Sequence, residues 1–439
     1  MTTPANLLRW LTSNKFELSS RRFFLGYFGF SLTMITLVFC ISARNERSLH
    51  LEGITNDLGA TARSIEILGR LELPMRGKPF IDTVPFYCAR MPFPPYFLRD
   101  LDKISDGRFL LLHALKVYLL LLPLWLGAWL LYKRAKHRQL ILLVCLMLPF
   151  LIPDFLYLVV TLQIEEAYFY SFLILALALV LCSPAIKGSS AWLSMVAFAL
   201  SIDLIYLSKS SMRLTCAVLT VAWVITDKSI ARRIVVCLLF LLAPLGWALH
   251  CDTVSGRFTF GSSFDGFNLH KGNYAQFLDR YPPADGGYMD KWDYSINPYH
   301  QFSSEWAYND YHMALAKQFI LYHPKIDAIA FLRKFDVFFL DLRDIGSGHR
   351  SDLLSKVDPV SMLLFRLTLW SALLWSILNL FIKRHRAASL LFLCVALSIA
   401  APYLAGFALT HQAFTLIFPS AMMLGYFYSA GEDDLTQTR

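Results

Sequence analysis

Residues 50–74, HLEGITNDLGATARSIEILGRLELP, form the first polar stretch after the first apolar run that is long enough to cross a membrane. Thr55 or Asn56 can cap a helix that begins near Asp57, whose carboxylate is favourable at a helix N-terminus. Apolar residues then recur at roughly helical spacing, which predicts an amphipathic helix lying flat on the membrane. They are Leu58, Ala62, Ile65 and Ile67 or Leu68. An ordinary capped surface helix would show the same pattern.

The composition is that of a multi-pass membrane protein. The chain has 439 residues, of which 56% are hydrophobic and 17% charged, and its mean hydropathy is +0.48. A net charge of +9 could indicate nucleic-acid binding. Lys and Arg concentrate, however, in short links between apolar runs, which is the positive-inside pattern. We therefore predict a lipid bilayer as partner and no nucleic acid.

The apolar runs predict an all-α integral membrane protein with about ten transmembrane helices and two external helical loop elements. We expect an N-terminal membrane module at 1–250 with a first external loop at 44–108, an external soluble element at 251–360, and C-terminal membrane helices with a short cytoplasmic tail at 361–439. The predicted spans cover residues 23–43, 109–132, 139–162, 167–183, 191–208, 214–226, 234–250, 361–382 and 387–404, with a last span ending near Ala430.

The link after the fifth predicted span reads KSSMR and is placed outside. Lys209 and Arg213 therefore stand on the side where the positive-inside rule expects few cations. An ammonium, a guanidinium and the hydroxyls of Ser210 and Ser211 are suitable ligands for a phosphate. The alternative is that the two cations extend toward lipid headgroups.

Other charged residues lie at or inside the predicted spans. Glu165 and Glu166 precede the fourth span, and either they are solvated at the membrane surface or one of them orients an acceptor or a base. Lys116 and Arg366 lie within spans, where we expect them to pair with buried acids.

The second external element contains FDGFNLHKGNYAQFLDRYPP at 264–283 and EWAYNDYHMALAKQFILYHPKIDAIAFLRKFDVFF at 305–339. Gly266, Gly272 and Asn273 are typical turn residues. The second stretch predicts one amphipathic helix over 306–319, stopped by Pro324, and another over 326–339.

These motifs resemble the GT-C superfamily of polyprenyl-phosphate-dependent glycosyltransferases, in particular its RgtA/B/C/D-like and protein mannosyltransferase branches. Members have an Asp just after the first transmembrane helix, an acidic residue before the fourth span, a cationic link after the fifth, and a helix, His-Pro, helix, Lys series. His411 and Pro419 match the terminal signature of the family. Phe414-Thr415 stands where the family has Arg-Tyr, which removes one cationic phosphate contact.

The resemblance implies an inverting transfer of a sugar from a polyprenyl-phosphate donor to a hydroxyl of a glycolipid, polysaccharide or protein. It also implies a bacterial inner membrane location, with the active site facing the periplasm. Asp57, Glu165 and Glu166 are then the candidate catalytic residues, with Asp57 as the base. The donor phosphate would be bound by cationic and polar groups, namely Lys209, Ser210, Arg213, Arg63, Arg70 and His411.

No cofactor beyond the lipid-linked donor is implied, and the requirement for a divalent metal stays open. The sequence has no HExxH, paired CxxC, Walker A or Rossmann motif. Two alternatives use the same features. One is a lipid or polyprenol-phosphate translocase, which needs no base at Asp57. The other is a glycan ligase or polymerase with a diphosphate-linked donor, which would depend on external Arg and His residues.

Overall fold

The computed structural model describes residues 18–45, 57–73, 85–135, 139–162, 164–186, 188–275, 277–281, 302–343, 358–382 and 385–429. Throughout these ranges the regular structure is α-helical, with short 3-10 turns and one isolated antiparallel bridge between Leu73 and Phe86. The predicted all-α class is therefore confirmed. The predicted capping residues Thr55 and Asn56 lie outside the described ranges.

The N-terminal half contains ten helices in the described ranges. They are α1 (Ser20–Asn45), α2 (Asp57–Leu68), α3 (Phe93–Ser105), α4 (Phe109–Arg134), α5 (Gln139–Met147), α6 (Pro153–Val160), α7 (Glu166–Cys182), α8 (Ser189–Ser208), α9 (Arg213–Thr226) and α10 (Ile230–Ser255).

The second half begins with the external element and returns to membrane helices. Its described helices are α11 (Asp265–Lys271), α12 (Phe277–Arg280), α13 (Glu305–Tyr322), α14 (Pro324–Phe339), α15 (Asp358–Asn379), α16 (Arg386–Ala405), α17 (Thr410–Ala413) and α18 (Ile417–Ser429). The two helices predicted over 306–319 and 326–339 are confirmed as α13 and α14.

Seven of the described helices are long and apolar enough to cross a membrane, namely α1, α4, α7, α8, α10, α15 and α16. The chain is thus a multi-pass membrane protein. The sixth and tenth predicted spans correspond to shorter helices, α9 with 14 residues and α18 with 13. Helix α7 lies at the centre and is buried along nearly its whole length.

The third predicted span, 139–162, is broken. Its two parts, Gln139–Leu151 and Pro153–Val160, meet at an angle of 74°. Pro153 at the break has no backbone N–H to continue the helical bonding, which explains the bend. Lys116 of α4 then donates to the carbonyl oxygens of Val159 at 2.8 Å and Thr161 at 2.7 Å. Lys116 therefore satisfies backbone carbonyls at the end of α6, and its predicted pairing with an acid stays a prediction.

Arg366 also bonds to carbonyls at the end of a helix, and its charge lies within electrostatic range of Asp336 and Asp341. Its guanidinium donates to the carbonyl oxygens of Val337 at 2.8 Å and of Asp341 at 3.0 Å, and also to that of Phe338. The last carbonyls of a helix have no partner inside the helix and need an outside donor. Arg366 therefore joins the end of α14 to the membrane helix α15.

Helix α2 begins at Asp57 as predicted and buries Leu58, Ala62 and Ile65. Ile67 and Leu68 were expected on the same face, but they are 70% and 45% exposed. At about 100° per residue, Ile67 points away from the buried face, so the spacing argument fails in the last turn.

The turn interpretation holds for Gly272 and Asn273, which follow the last residue of α11, and was wrong for Gly266, which lies inside that helix. A Cβ atom on Gly266 would lie 2.2 Å from the carbonyl oxygen of Asn309. Close contact between α11 and α13, and not a turn, therefore requires glycine there.

Lys334 of α14 holds the external element against the membrane helices. Its ammonium is buried and donates to the carbonyl oxygens of Gly272 at 3.3 Å and Gly406 at 3.1 Å, and to Oδ1 of Asn273 at 3.1 Å. Asn273 in turn donates to the carbonyl oxygen of Ala405 at 2.7 Å. One cation thus satisfies the ends of α11 and α16 together.

Candidate active site

The KSSMR link forms a sharp reversal between two membrane helices. Helix α8 ends at Ser208, Lys209 has an extended backbone, and residues 210–212 form a single 3-10 turn before α9 begins at Arg213. The two cations of the link therefore face different partners.

Lys209 lies between the two glutamates that precede and begin α7. Its Nζ atom is 2.5 Å from Oε1 of Glu166 and 3.4 Å from Oε2 of Glu165, and the Tyr403 hydroxyl donates to Glu166 at 3.2 Å. Burial by itself lowers the pKa of Lys209, but Glu166, and after it Tyr403 and Glu165, raise that pKa above its ordinary value. The lysine is therefore charged and already engaged by carboxylates.

The two glutamates differ in accessibility. The side chain of Glu166 is 1% exposed, whereas that of Glu165 is 13% exposed and also accepts from Nη1 of Arg90 at 3.0 Å. Glu165 is therefore the carboxylate that a ligand can reach, and Glu166 is the buried partner that fixes Lys209 and Tyr403.

Arg213 is bound by an aspartate of the second external loop. Its Nη2 atom lies 2.9 Å from Oδ2 of Asp265. The other carboxylate oxygen, Oδ1, accepts from the hydroxyls of Ser210 at 3.0 Å and Ser262 at 2.8 Å. The Arg213 side chain is 45% exposed, three times the 15% of Lys209, so it is the cation that a ligand can approach.

The two external loops meet beside this group. Ser263 donates its backbone N–H to the carbonyl oxygen of Cys88 at 2.9 Å. Glu305 accepts from the backbone N–H of Cys88 at 3.0 Å and from the Ser263 hydroxyl at 2.7 Å, and burial raises the pKa of Glu305. Ala60, in the first turn of α2, packs on an apolar cluster that includes Phe264. The start of α2 and the loop that carries Asp265 therefore contribute to the same apolar cluster.

The structure brings most of the predicted site residues into one group. Glu165, Glu166, Lys209, Ser210 and Arg213 share the contacts above, and His411 lies within electrostatic range of Glu166.

The remaining predicted residues lie on α2. The Arg70 side chain is paired with Glu72 at 2.8 Å and covers the Tyr87 ring, and Arg63 is half-buried on the same helix. Asp57 is the first residue of α2, and its side chain lies outside the described part of the structure.

Four residues of the group were not recognised from the sequence, namely Arg90, Ser262, Asp265 and Tyr403. Asp265 lies in the FDGFN motif, where only Gly266 was interpreted, as a turn former. A carboxylate beside a serine pair in an external loop was the available signal for it. Tyr403 lies in an apolar run, and no signal in the sequence points to its contact with Glu166.

The charges of the group balance. Three cations (Arg90, Lys209, Arg213) are in contact with three carboxylates (Glu165, Glu166, Asp265). A carboxylate here can accept a proton, and an anion can reach Arg213 by taking over its bonds to Asp265. Acid–base chemistry next to an anion site is what this arrangement allows.

No protein-family model matches the chain, and no curated protein matches it in sequence. Among solved structures, the chain is similar to the archaeal oligosaccharyltransferase AglB from Archaeoglobus fulgidus, in complex with an inhibitory peptide and a dolichol-phosphate. The sequence identity is 13% and the TM-score is 0.44. The likeness covers 90% of this chain and 50% of AglB, so the chain spans about half the length of that structure.

Proposed function

We propose that this protein is a membrane glycosyltransferase that moves a sugar from a polyprenyl-phosphate donor to a hydroxyl acceptor at the outer face of the membrane. The observation that carries the proposal is the convergence of the KSSMR link, the Glu165-Glu166 pair and both external loops. They supply a reachable guanidinium and reachable carboxylates side by side, at the ends of membrane helices where a lipid phosphate can arrive through the bilayer.

Each group has a role in the reaction. A carboxylate base takes the proton of the acceptor hydroxyl as its oxygen attacks the anomeric carbon. The bond between that carbon and the phosphate oxygen breaks with inversion, and the phosphate leaves with the electron pair. We assign the base to Asp57 at the start of α2. Glu165, reachable beside Arg90, orients the acceptor.

The phosphate contacts are assigned by exposure. Arg213 and Ser210 meet the leaving phosphate, because Arg213 is the more exposed of the two cations in the link. Lys209 acts through its charge and through its hold on Glu166. A guanidinium beside the leaving group stabilises the charge that develops on the phosphate oxygens.

The test is turnover of the reconstituted full-length protein with a panel of polyprenyl-phosphate sugars, measured as release of polyprenyl phosphate and transfer to lipid-linked or peptide acceptors. Asp57→Asn should lower turnover by about 10² to 10⁴ because the amide cannot accept the proton, while donor binding stays close to normal. Asp100→Asn is the matched control, since Asp100 is an exposed acid of the same external loop.

A translocase would give a different pattern. Asp57→Asn would then leave lipid movement unchanged, and no variant would release polyprenyl phosphate from the donor. Near-normal transfer by Asp57→Asn would remove Asp57 from the mechanism, and Glu165→Gln would be the next variant to measure.

A further inference from the structure

The Asp265 carboxylate is surrounded by an anion-binding set of donors. A guanidinium (Arg213) and two serine hydroxyls (Ser210 and Ser262) donate to its two oxygens at 2.8 to 3.0 Å. This is the donor set that proteins use for phosphate, since charge-assisted bonds from arginine and hydroxyl groups suit a compact oxyanion.

We propose that Asp265 is a built-in occupant of the donor phosphate site, and that the phosphate of a polyprenyl-phosphate donor binds to Arg213, Ser210 and Ser262 in exchange for the Asp265 carboxylate. The proposal rests on the proposed function and deepens it in two respects. It adds Ser262 as a phosphate ligand, and it makes donor entry a competition with a side chain of the protein.

The donors stay in place when the carboxylate leaves. The loop that carries Ser262 is fixed to α8 by the Tyr206 hydroxyl, which donates to the carbonyl oxygen of Phe260 at 2.7 Å. It is fixed to α10 by Trp247, whose indole N–H donates to the carbonyl oxygen of Gly261 at 2.8 Å. The loop is therefore held by membrane helices through bonds that do not involve the Asp265 carboxylate.

The exchange requires the carboxylate to turn into solvent. The Asp265 side chain is 26% exposed, so part of it already faces water. The displaced carboxylate becomes hydrated. The incoming phosphate accepts the three hydrogen bonds that Asp265 gives up.

The charges match the order of events in the reaction. A polyprenyl-phosphate sugar is a phosphodiester with one negative charge, so its exchange for one carboxylate leaves the charge bound directly to Arg213 unchanged. The departing polyprenyl phosphate is a monoester with a charge of about −1.5 to −2 at pH 7. Arg213 therefore attracts the leaving group more strongly than the donor, and the return of Asp265 assists product release.

The test is the affinity of the purified full-length protein in nanodiscs for a short-chain polyprenyl phosphate. Asp265→Asn should tighten binding about tenfold or more, because the site is no longer filled by a charged competitor. Asp265→Ser should also tighten binding, and it replaces Asp265→Asn in the test if the Asn variant does not fold. Arg213→Gln should weaken binding, and in that background Asp265→Asn should tighten binding less than it does in the wild type, because only the two serine hydroxyls remain to be freed.

Asp310→Asn is the matched control. Asp310 pairs with Arg257 at 2.8 Å in the same external element, and both side chains are exposed. Loss of that pair should leave the affinity unchanged, whereas tightening by Asp310→Asn equal to that by Asp265→Asn would overturn the exchange.

Two further outcomes distinguish a failure of the exchange from a failure of the proposed function. If the wild-type protein binds polyprenyl phosphate through Arg213 but Asp265→Asn and Asp265→Ser bind it no more tightly, the exchange is wrong and the proposed function stands. If neither wild type nor any variant binds polyprenyl phosphate, both are wrong.

Discussion

Gly272 and Gly406 pack so closely that a Cβ atom on Gly272 would lie 1.6 Å from the carbonyl oxygen of Gly406. The first residue follows α11 in the external element, and the second follows the membrane helix α16. Their contact, with Lys334 bound to both carbonyls, is one of the places where the external element meets the membrane helices.

Gly272→Ala should therefore separate the two helix ends. The strain of overpacking costs about 1–3 kcal/mol, and the misplaced carbonyls weaken the bonds from Lys334 as well. We expect a lower unfolding temperature in detergent and faster proteolysis of the external element. Gly246→Ala is the control, because no atom lies within 4 Å of a Cβ at that position. Equal unfolding temperatures for the two variants would contradict the prediction.

Lys209→Met should destabilise the protein strongly. It leaves the carboxylate of Glu166, which is 1% exposed, without its cation. Breaking a buried ion pair in this way costs about 3–5 kcal/mol. The double variant Glu166→Gln/Lys209→Met removes both charges and should recover much of the loss in a thermal or chemical unfolding measurement. A double variant as unstable as Lys209→Met would show that the pair is not what holds the link.

The stability of the external element should fall in mild acid. Nδ1 of His270 lies 2.8 Å from Nδ1 of His312, and burial lowers the pKa of His270 to about 4 and, with the charge of His270, that of His312 to about 3. In the unfolded chain each histidine takes up its proton near pH 6.5. The unfolded state therefore binds more protons than the folded state between pH 6.5 and the folded pKa values, and stability decreases as the pH falls through this window.

The expected loss is on the order of 2 kcal/mol per histidine between pH 7 and pH 5. The measurement is the unfolding temperature across that range for the wild type and for the double variant His270→Gln/His312→Gln. The amide pair can keep a hydrogen bond and does not titrate, so its curve should be flatter. Parallel curves would assign the acid sensitivity to other groups.

The topology predicts opposite labelling of two exposed positions. Ala275 lies in the external element, and Lys133 lies at the basic end of α4. In a background without the exposed thiols Cys40 and Cys237, a membrane-impermeant maleimide applied to intact cells should label Ala275→Cys and not Lys133→Cys. Labelling of both positions would contradict the predicted topology, and labelling of Lys133→Cys alone would place the site on the cytoplasmic side.

The sequence predicted those features that depend on hydrophobic length and local chemistry. The long spans, the start of α2 at Asp57 and the α13–α14 pair around Pro324 all follow from apolar runs, capping preferences and proline, which act within a few residues. The grouping of Glu165, Glu166 and Lys209 could also be predicted, because all three lie at ends of predicted spans on one side of the membrane.

The rest depends on contacts between distant segments. Asp265 meets Arg213 from 52 positions away, and Tyr403 meets Glu166 from 237 positions away. No periodicity encodes either contact. The turn prediction for Gly266 was wrong for the same reason. Glycine is required there because a Cβ atom would collide with Asn309 on another helix, and not because of the local backbone.

The buried cations Lys116, Lys334 and Arg366 have a consequence for how long the helices need to be. Each donates hydrogen bonds to carbonyls at the end of a helix, which water would otherwise have to provide. Lys116 is the eighth residue of α4, about 10 Å along the helix axis from its N-terminal end. Helix α6, with 8 residues, can therefore stop inside the protein without reaching an aqueous surface. The length of α6 is thereby uncoupled from bilayer thickness, because its end needs no water to satisfy its carbonyls.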